Sequence, residues 1–292
     1  MALTGGVLRS LSVELFTPRS DQGIADLLEK GGRLAAYAAL GPSFVSVYGK
    51  SLPILEHVRN VHCIRPQLQL SRCDSTVESI TSTLDAGLRV GVRDALILAG
   101  APGQKPARGQ RQSAEGFEST LELVRFIKGR YGDRVRVAVC GYPQGTHGEL
   151  DSYEADLLAL AQQVAAGAEL VVCLPCFDGE THTKYAADAR VAGVNCPLLP
   201  GVLPVGSNEA DFRRTCRAMA VDVPAWLDEQ IRAVPTANGL TDFGNALLVR
   251  LVRRLQAQGA APPHVYTLNS AAVLESLALA GFLPLKHRVE HA

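Results

Sequence analysis

The chain has no surplus of either charge: its 292 residues carry 29 Lys and Arg against 29 Asp and Glu. Such a balance leaves no electrostatic footprint for nucleic acid or an anionic membrane surface, and makes a small molecule the natural partner. Long apolar runs are missing too. No stretch reaches the roughly 18 to 20 uninterrupted apolar residues of a membrane span. The opening MALTGGVLRSLSVELF has a single arginine and lacks the apolar run of roughly 7 to 15 residues that marks a secretory leader. There is no dense cysteine framework. Cys63, Cys73, Cys140, Cys173, Cys176, Cys196 and Cys216 are scattered and odd in number, which suits reduced thiols in a cytoplasmic protein and predicts no structural disulfide. Gly100, Gly103 and Gly109 form neither a GxGxxG nor a Walker pattern, so no nucleotide fingerprint is present. No linker divides the sequence.

What is present is alternation. Short runs rich in Val, Leu and Ile predict strands at Leu11 to Phe16, Phe44 to Tyr48, Gln67 to Ser71, Ala95 to Ala99, Val135 to Cys140, Leu170 to Leu174, Leu198 to Val205 and His264 to Leu268. Amphipathic stretches between them predict helices at Asp21 to Leu40, Pro53 to Asn60, Ser75 to Val90, Ser113 to Tyr131, Ser152 to Ala166, Thr183 to Ala192, Glu209 to Ala220 and Thr241 to Gln258. Gly91, Gly167, Gly193 and Gly259 each close a helical pattern shortly before a strand, as a left-handed helix terminus requires. Repeated βα units in a chain somewhat longer than the typical barrel of about 250 residues predict one (β/α)₈ TIM barrel spanning residues 1–292, although an open doubly wound sheet would show the same junctions.

A barrel of this type works at the C-terminal ends of its strands. Within LSVELF, alternation puts Ser12, Glu14 and Phe16 on one face. A carboxylate near the end of an otherwise apolar strand has its pKa raised by desolvation, which makes Glu14 a candidate proton donor; the competing reading is a Glu paired with a cation in the barrel mouth. The CLPC run, Cys173 to Cys176, closes a strand rather than opening a helix and has only His182 nearby, so it reads as two small apolar residues and not as a redox or metal site. His147, in GYPQGTHGE, lies on a loop after a strand and is placed to touch a ligand. His57, His62, His287 and His291 read as solvated.

Taken in order, the blocks LSVELFTP, PSFVSVYG, GVRDALILAGAPG, VAVCGYPQGTH, ADLLALAQQVAAGAELVVCLPCFD, PLLPGVLPV, VPAWL and HVYTLNSA resemble the methylenetetrahydrofolate reductase family over nearly the whole chain. The resemblance implies a barrel that holds FAD at its mouth and reduces 5,10-methylenetetrahydrofolate with NADH or NADPH. It implies that Glu14 is the general acid, that Tyr142, His147 and Asp156 contact the flavin, and that Gly100 is the glycine of the flavin loop. The chain also departs from the pattern. An Arg-Gly-Asp run of the family is Ala99, Gly100 and Ala101 here; polar and basic positions become Ala159, Gln162 and Gln163; a pterin-contacting Gln becomes Leu174; a strand-three His becomes Gln67; a stacking Phe becomes Glu209; and an Arg becomes Ser270. Each lost charge-assisted hydrogen bond removes about 1.5 to 3 kcal/mol of ligand affinity, against which stand backbone contacts and loop cations such as Lys105, Arg108 and Arg111.

Two further readings stay open on these residues. One is a barrel that has lost the reductase chemistry and serves as a binding subunit or partner of another enzyme, alone or as a homo-oligomer. The other is a barrel enzyme with a different substrate, since one fold hosts many reactions.

Overall fold

The structure, a computed structural model, describes residues 10–18, 20–29, 41–49, 51–73, 75–100, 116–145 and 152–282. Eight strands, β1 (Ser12–Phe16), β2 (Val45–Tyr48), β3 (Pro66–Ser71), β4 (Asp94–Leu98), β5 (Arg136–Gly141), β6 (Ala168–Pro175), β7 (Leu198–Val202) and β8 (His264–Tyr266), close into a barrel in chain order. Every neighbouring pair is parallel, and the ring is sealed where Ser12, Val13 and Glu14 face His264, Val265 and Tyr266. All eight lie where apolar runs predict them.

The described helices are α1 (Asp21–Leu28), α2 (Leu52–Asn60), α3 (Val77–Arg89), α4 (Thr120–Tyr131), α5 (Tyr153–Ala165), α6 (Gly179–Val191), α7 (Glu209–Met219), α8 (Ala225–Arg232), α9 (Ala237–Ala257) and α10 (Ala271–Leu279). Side-chain caps fix where several begin. Asp178 accepts the Thr181 amide and Thr236 the Gly239 amide, so α6 and α9 start four residues before the apolar period that announces them. Ser119, accepting the Glu122 amide, starts α4 seven residues later than its pattern suggests. The second half of the helix expected to Leu40 lies outside the described residues. Helices α8 and α10, of eight and nine residues, are not announced by the periodicity at all. Gly91, Gly167, Gly193 and Gly259 all have positive φ, as their position at helix ends requires.

Strand alternation sorts the apolar residues into two layers. Val13, Leu15, Val45, Val47, Leu68, Leu70, Val137, Val139, Val171 and Val265 face outward into the helices. Phe44, Leu96, Ala138, Cys140, Leu170, Val172 and Leu199 fill the barrel. A third cluster, including Leu203, Val205, Phe212, Leu227, Ile231 and Tyr266, packs α7, α8 and α9 around the ends of β7 and β8.

Candidate active site

The barrel interior is divided in two. On the side of β4 to β7 it is apolar above the Asp94–Arg136 ion pair at its lower end, but on the side of β8, β1, β2 and β3 it carries His264, Ser12, Glu14, Ser46, Gln67 and Gln69, all buried. Glu14 sits at the same level as Ser46 on one side and Tyr266 on the other. Gln69 reaches across β2 to it: its Nε2 donates to Glu14 Oε2 at 2.7 Å and to Ser46 Oγ at 2.9 Å. A bond from β3 to β1 that passes β2 is possible only on the inner face. The Glu14 side chain therefore points into the barrel.

No cation pairs with Glu14 among the described residues. Burial raises its pKa from 4.5 to about 7, the Gln69 hydrogen bond pulling weakly the other way. The group is thus divided between acid and carboxylate near neutral pH. Its backbone is fixed from β8: Thr267 Oγ1 donates to Glu14 O at 2.7 Å, and Asn269 both accepts from Phe16 N and donates to Phe16 O, each at 2.9 Å. Leu268 and Asn269 adopt left-handed φ of 52° and 59° to make this clamp. Tyr266 turns its hydroxyl to Cys173 O at 3.2 Å.

Of the other predicted positions, Gly100, Tyr142 and Asp156 lie toward the same end of the barrel. Gly100 follows β4 with φ of +122°, and its Cα lies so close to Cys73 that an added Cβ would meet the sulfur at 2.5 Å. Tyr142 follows β5, its amide donating to the Tyr185 hydroxyl at 3.2 Å. Asp156 is buried in the first turn of α5. His147 lies outside the described residues, as do Ala101, Lys105, Arg108 and Arg111. Glu209, far from stacking on a ligand, is bonded to Arg213 one turn on at 2.7 Å. Leu174 lines a narrow gap of about 10 Å³ beside Tyr142 and Pro175.

The cysteines are all free, and Cys173 and Cys176 are buried. Burial pushes the Cys176 thiol up to about 12 and Cys173 further in the same direction, so neither is a ready thiolate. His57 and His62 are half-buried and packed ring to ring at 5.1 Å, less solvated than a polar stretch suggests. Sequence reasoning missed Gln69, Ser46, Thr267 and His264. The alternation PQLQLS places both glutamines on one strand face, but only closure of the barrel shows that this face is the inside.

The family pattern sets an arginine against the flavin pyrophosphate at the position that is Ala99 here, which leaves backbone amides as the described donors on that side. Ala99 offers a buried methyl and a carbonyl already taken by the Cys73 thiol at 2.8 Å. Among the described residues the FAD seat that the family pattern implies keeps Gly100, Tyr142 and Asp156 but lacks the cation at position 99.

A parallel barrel with a buried, protonatable carboxylic acid inside its C-terminal half belongs to the class of barrels equipped for acid-assisted chemistry on a small molecule. The family model for methylenetetrahydrofolate reductase matches residues 7–279, and the chain belongs to that family. It is 29% identical over 281 residues to methylenetetrahydrofolate reductase (NADH) 1 of Arabidopsis thaliana, an alignment covering 89% of this chain and 46% of the plant protein. It is 25% identical over 277 residues to 5,10-methylenetetrahydrofolate reductase of Escherichia coli, covering 90% and 87%. The chain thus spans about half the length of the plant relatives and most of the bacterial one. A solved structure of an uncharacterized protein from Clostridium thermocellum, described as binding two copies of 5-methyl-5,6,7,8-tetrahydrofolic acid, superposes with a TM-score of 0.61 at 10% identity over 94% of this chain, a likeness of fold alone.

Proposed function

We propose that this chain, folded as one barrel unit over residues 1–292, reduces 5,10-methylenetetrahydrofolate to the 5-methyl form with NADH or NADPH as hydride source. The observation that carries the reading is Glu14, a carboxyl buried inside the barrel, without a cationic partner among the described residues, and half-protonated near neutral pH. The ring of methylenetetrahydrofolate opens to a reactive iminium when a proton reaches the bridging nitrogen. Glu14 donates that proton, and hydride then reaches the exposed carbon. Gln69 holds the carboxyl toward the barrel axis and keeps a hydrogen bond on the carboxylate left behind. The relatives carry both nicotinamides in their names, NADH in Arabidopsis thaliana and NADPH in Caenorhabditis elegans.

FAD is the cofactor that family membership implies, with Gly100, Tyr142, His147 and Asp156 as its contacts. The Ala99 position weighs against it, and favours hydride passing from nicotinamide to substrate without a flavin between them. The test is NADH and NADPH oxidation by the purified protein with methylenetetrahydrofolate, with and without added FAD, beside its absorbance near 450 nm. We expect folate-dependent oxidation that added FAD leaves unchanged, and no flavin band. Glu14→Gln keeps the shape and removes the transferable proton, so turnover falls by about 10² to 10⁴ while substrate binding changes little. Absence of folate-dependent oxidation under every condition would replace this reading with that of a binding subunit.

A further inference from the structure

The end of the barrel away from Glu14 holds a cavity of about 490 Å³ whose walls are the end of α2, the turn into β3 and the starts of β4 and β5. Four guanidinium groups line it, Arg59, Arg65, Arg93 and Arg136, with Asp94 the one carboxylate among the lining residues. Asp94 is buried and engaged: Arg136 grips both its oxygens, at 2.7 and 2.6 Å, and Arg65 approaches at 3.5 Å while lying over the Phe44 ring at 5.5 Å. That ion pair accounts for the lower rim of the barrel as a structural feature. It does not account for Arg59 and Arg93, which are exposed and pair with no carboxylate among the described residues. Among the described residues Arg59 has the side chain of Asn60 as its hydrogen-bond partner, at 2.8 Å. Its guanidinium lies across Gly91, where a Cβ would meet Nε at 2.5 Å, so the turn is shaped to let it lie there.

Four guanidinium groups against one carboxylate leave a strongly positive concavity of a size usual for small-ligand sites, which run to about 300 to 1,000 Å³. Planar forks of N–H donors match the oxygens of phosphoryl groups two at a time, and two of the four forks here are held in place beforehand by Asp94. We propose that this cavity is a binding site for a small ligand carrying two or more linked phosphoryl groups. The site is separate from the Glu14 site and independent of the reductase reading.

Inorganic tripolyphosphate is the probe, added to the full chain at constant ionic strength. Cys63 lines the cavity and is the exposed cysteine among seven whose other members are buried, which makes it a built-in reporter. We expect saturable binding by calorimetry and at least a tenfold slowing of Cys63 alkylation by neutral iodoacetamide. The double variant Arg59→Gln with Arg93→Gln, both exposed and outside the Asp94 pair, should keep wild-type circular dichroism and lose at least tenfold in affinity together with the protection. No saturable binding, binding that the double variant retains, or binding that leaves Cys63 unprotected would each overturn the proposal. Citrate binding as tightly as tripolyphosphate would overturn the assignment to phosphoryl groups.

Discussion

The proton on Glu14 is governed first by burial and then, in the opposite sense, by one neutral neighbour. A carboxylate that receives a hydrogen bond is favoured over the neutral acid, so the Gln69 amide works against the burial that raises Glu14 to about 7. Gln69→Leu removes this donor and leaves the desolvation, which moves the Glu14 pKa further upward. In the proposed reaction the acid form is the active one, so the alkaline limb of the kcat/KM profile should shift to higher pH in this variant. A limb that stays in place would mean that another group sets it. Glu14 was legible from the sequence because a lone carboxylate in LSVELF breaks an apolar strand. Gln69 was not, because a glutamine in a strand reads equally well as a solvent-facing polar residue until the other seven strands close around it. The strand-end cysteines were legible from their apolar surroundings, whereas Gly100 came only from the family resemblance.

Among the elements, the junction from β8 into α10 does the most to fix the site. Its residues Thr267, Leu268 and Asn269 turn back onto β1, and the Asn269 amide replaces a missing strand partner for both backbone groups of Phe16. Asparagine also tolerates the left-handed φ of 59° better than other side chains that could reach so far. Asn269→Ala removes two hydrogen bonds and leaves two half-buried backbone groups without partners, which costs about 2 to 3 kcal/mol of unfolding free energy. Urea melts measure this directly, and a loss below about 0.5 kcal/mol would show that water takes over both bonds. The sequence block YTLNS reads as a strand end and no more; the clamp depends on Phe16, 253 residues away in the chain. Helices α8 and α10 escaped notice because they are too short for their period to stand out. Pro224 at the N-cap of α8 marks its start only once the helix is seen.

At the scale of the whole molecule the barrel was readable because its signals repeat. Eight apolar runs and four helix-closing glycines each mean little alone, and one closed parallel sheet satisfies all of them. The barrel also carries titratable groups that its closure removes from water, and these make its stability depend on pH in two opposite ways. Burial lowers His264 from 6.5 to about 3 and His182 from 6.5 to about 4. Groups depressed in this way stabilise the fold above pH 6.5, and that contribution fades as pH falls toward 4 and 3. Glu14 behaves in the other sense. Its folded pKa of about 7 lies above the ordinary 4.5, so its contribution is complete below pH 4.5 and is lost as pH rises through 7. A displacement of that size corresponds to about 3 kcal/mol at about 1.4 kcal/mol per pH unit. Glu14→Gln has no proton to lose, yet its amide oxygen still accepts from Gln69, so it removes this dependence and leaves the histidines as they were. Wild type and variant should therefore have nearly the same unfolding free energy at pH 4, and the variant should become the more stable by up to about 3 kcal/mol as pH rises to 8. Urea melts of both proteins across that range decide the matter. A gap that does not widen with pH would mean that Glu14 is not the buried proton carrier, and the acid proposed for the reaction would have to be sought elsewhere in the barrel.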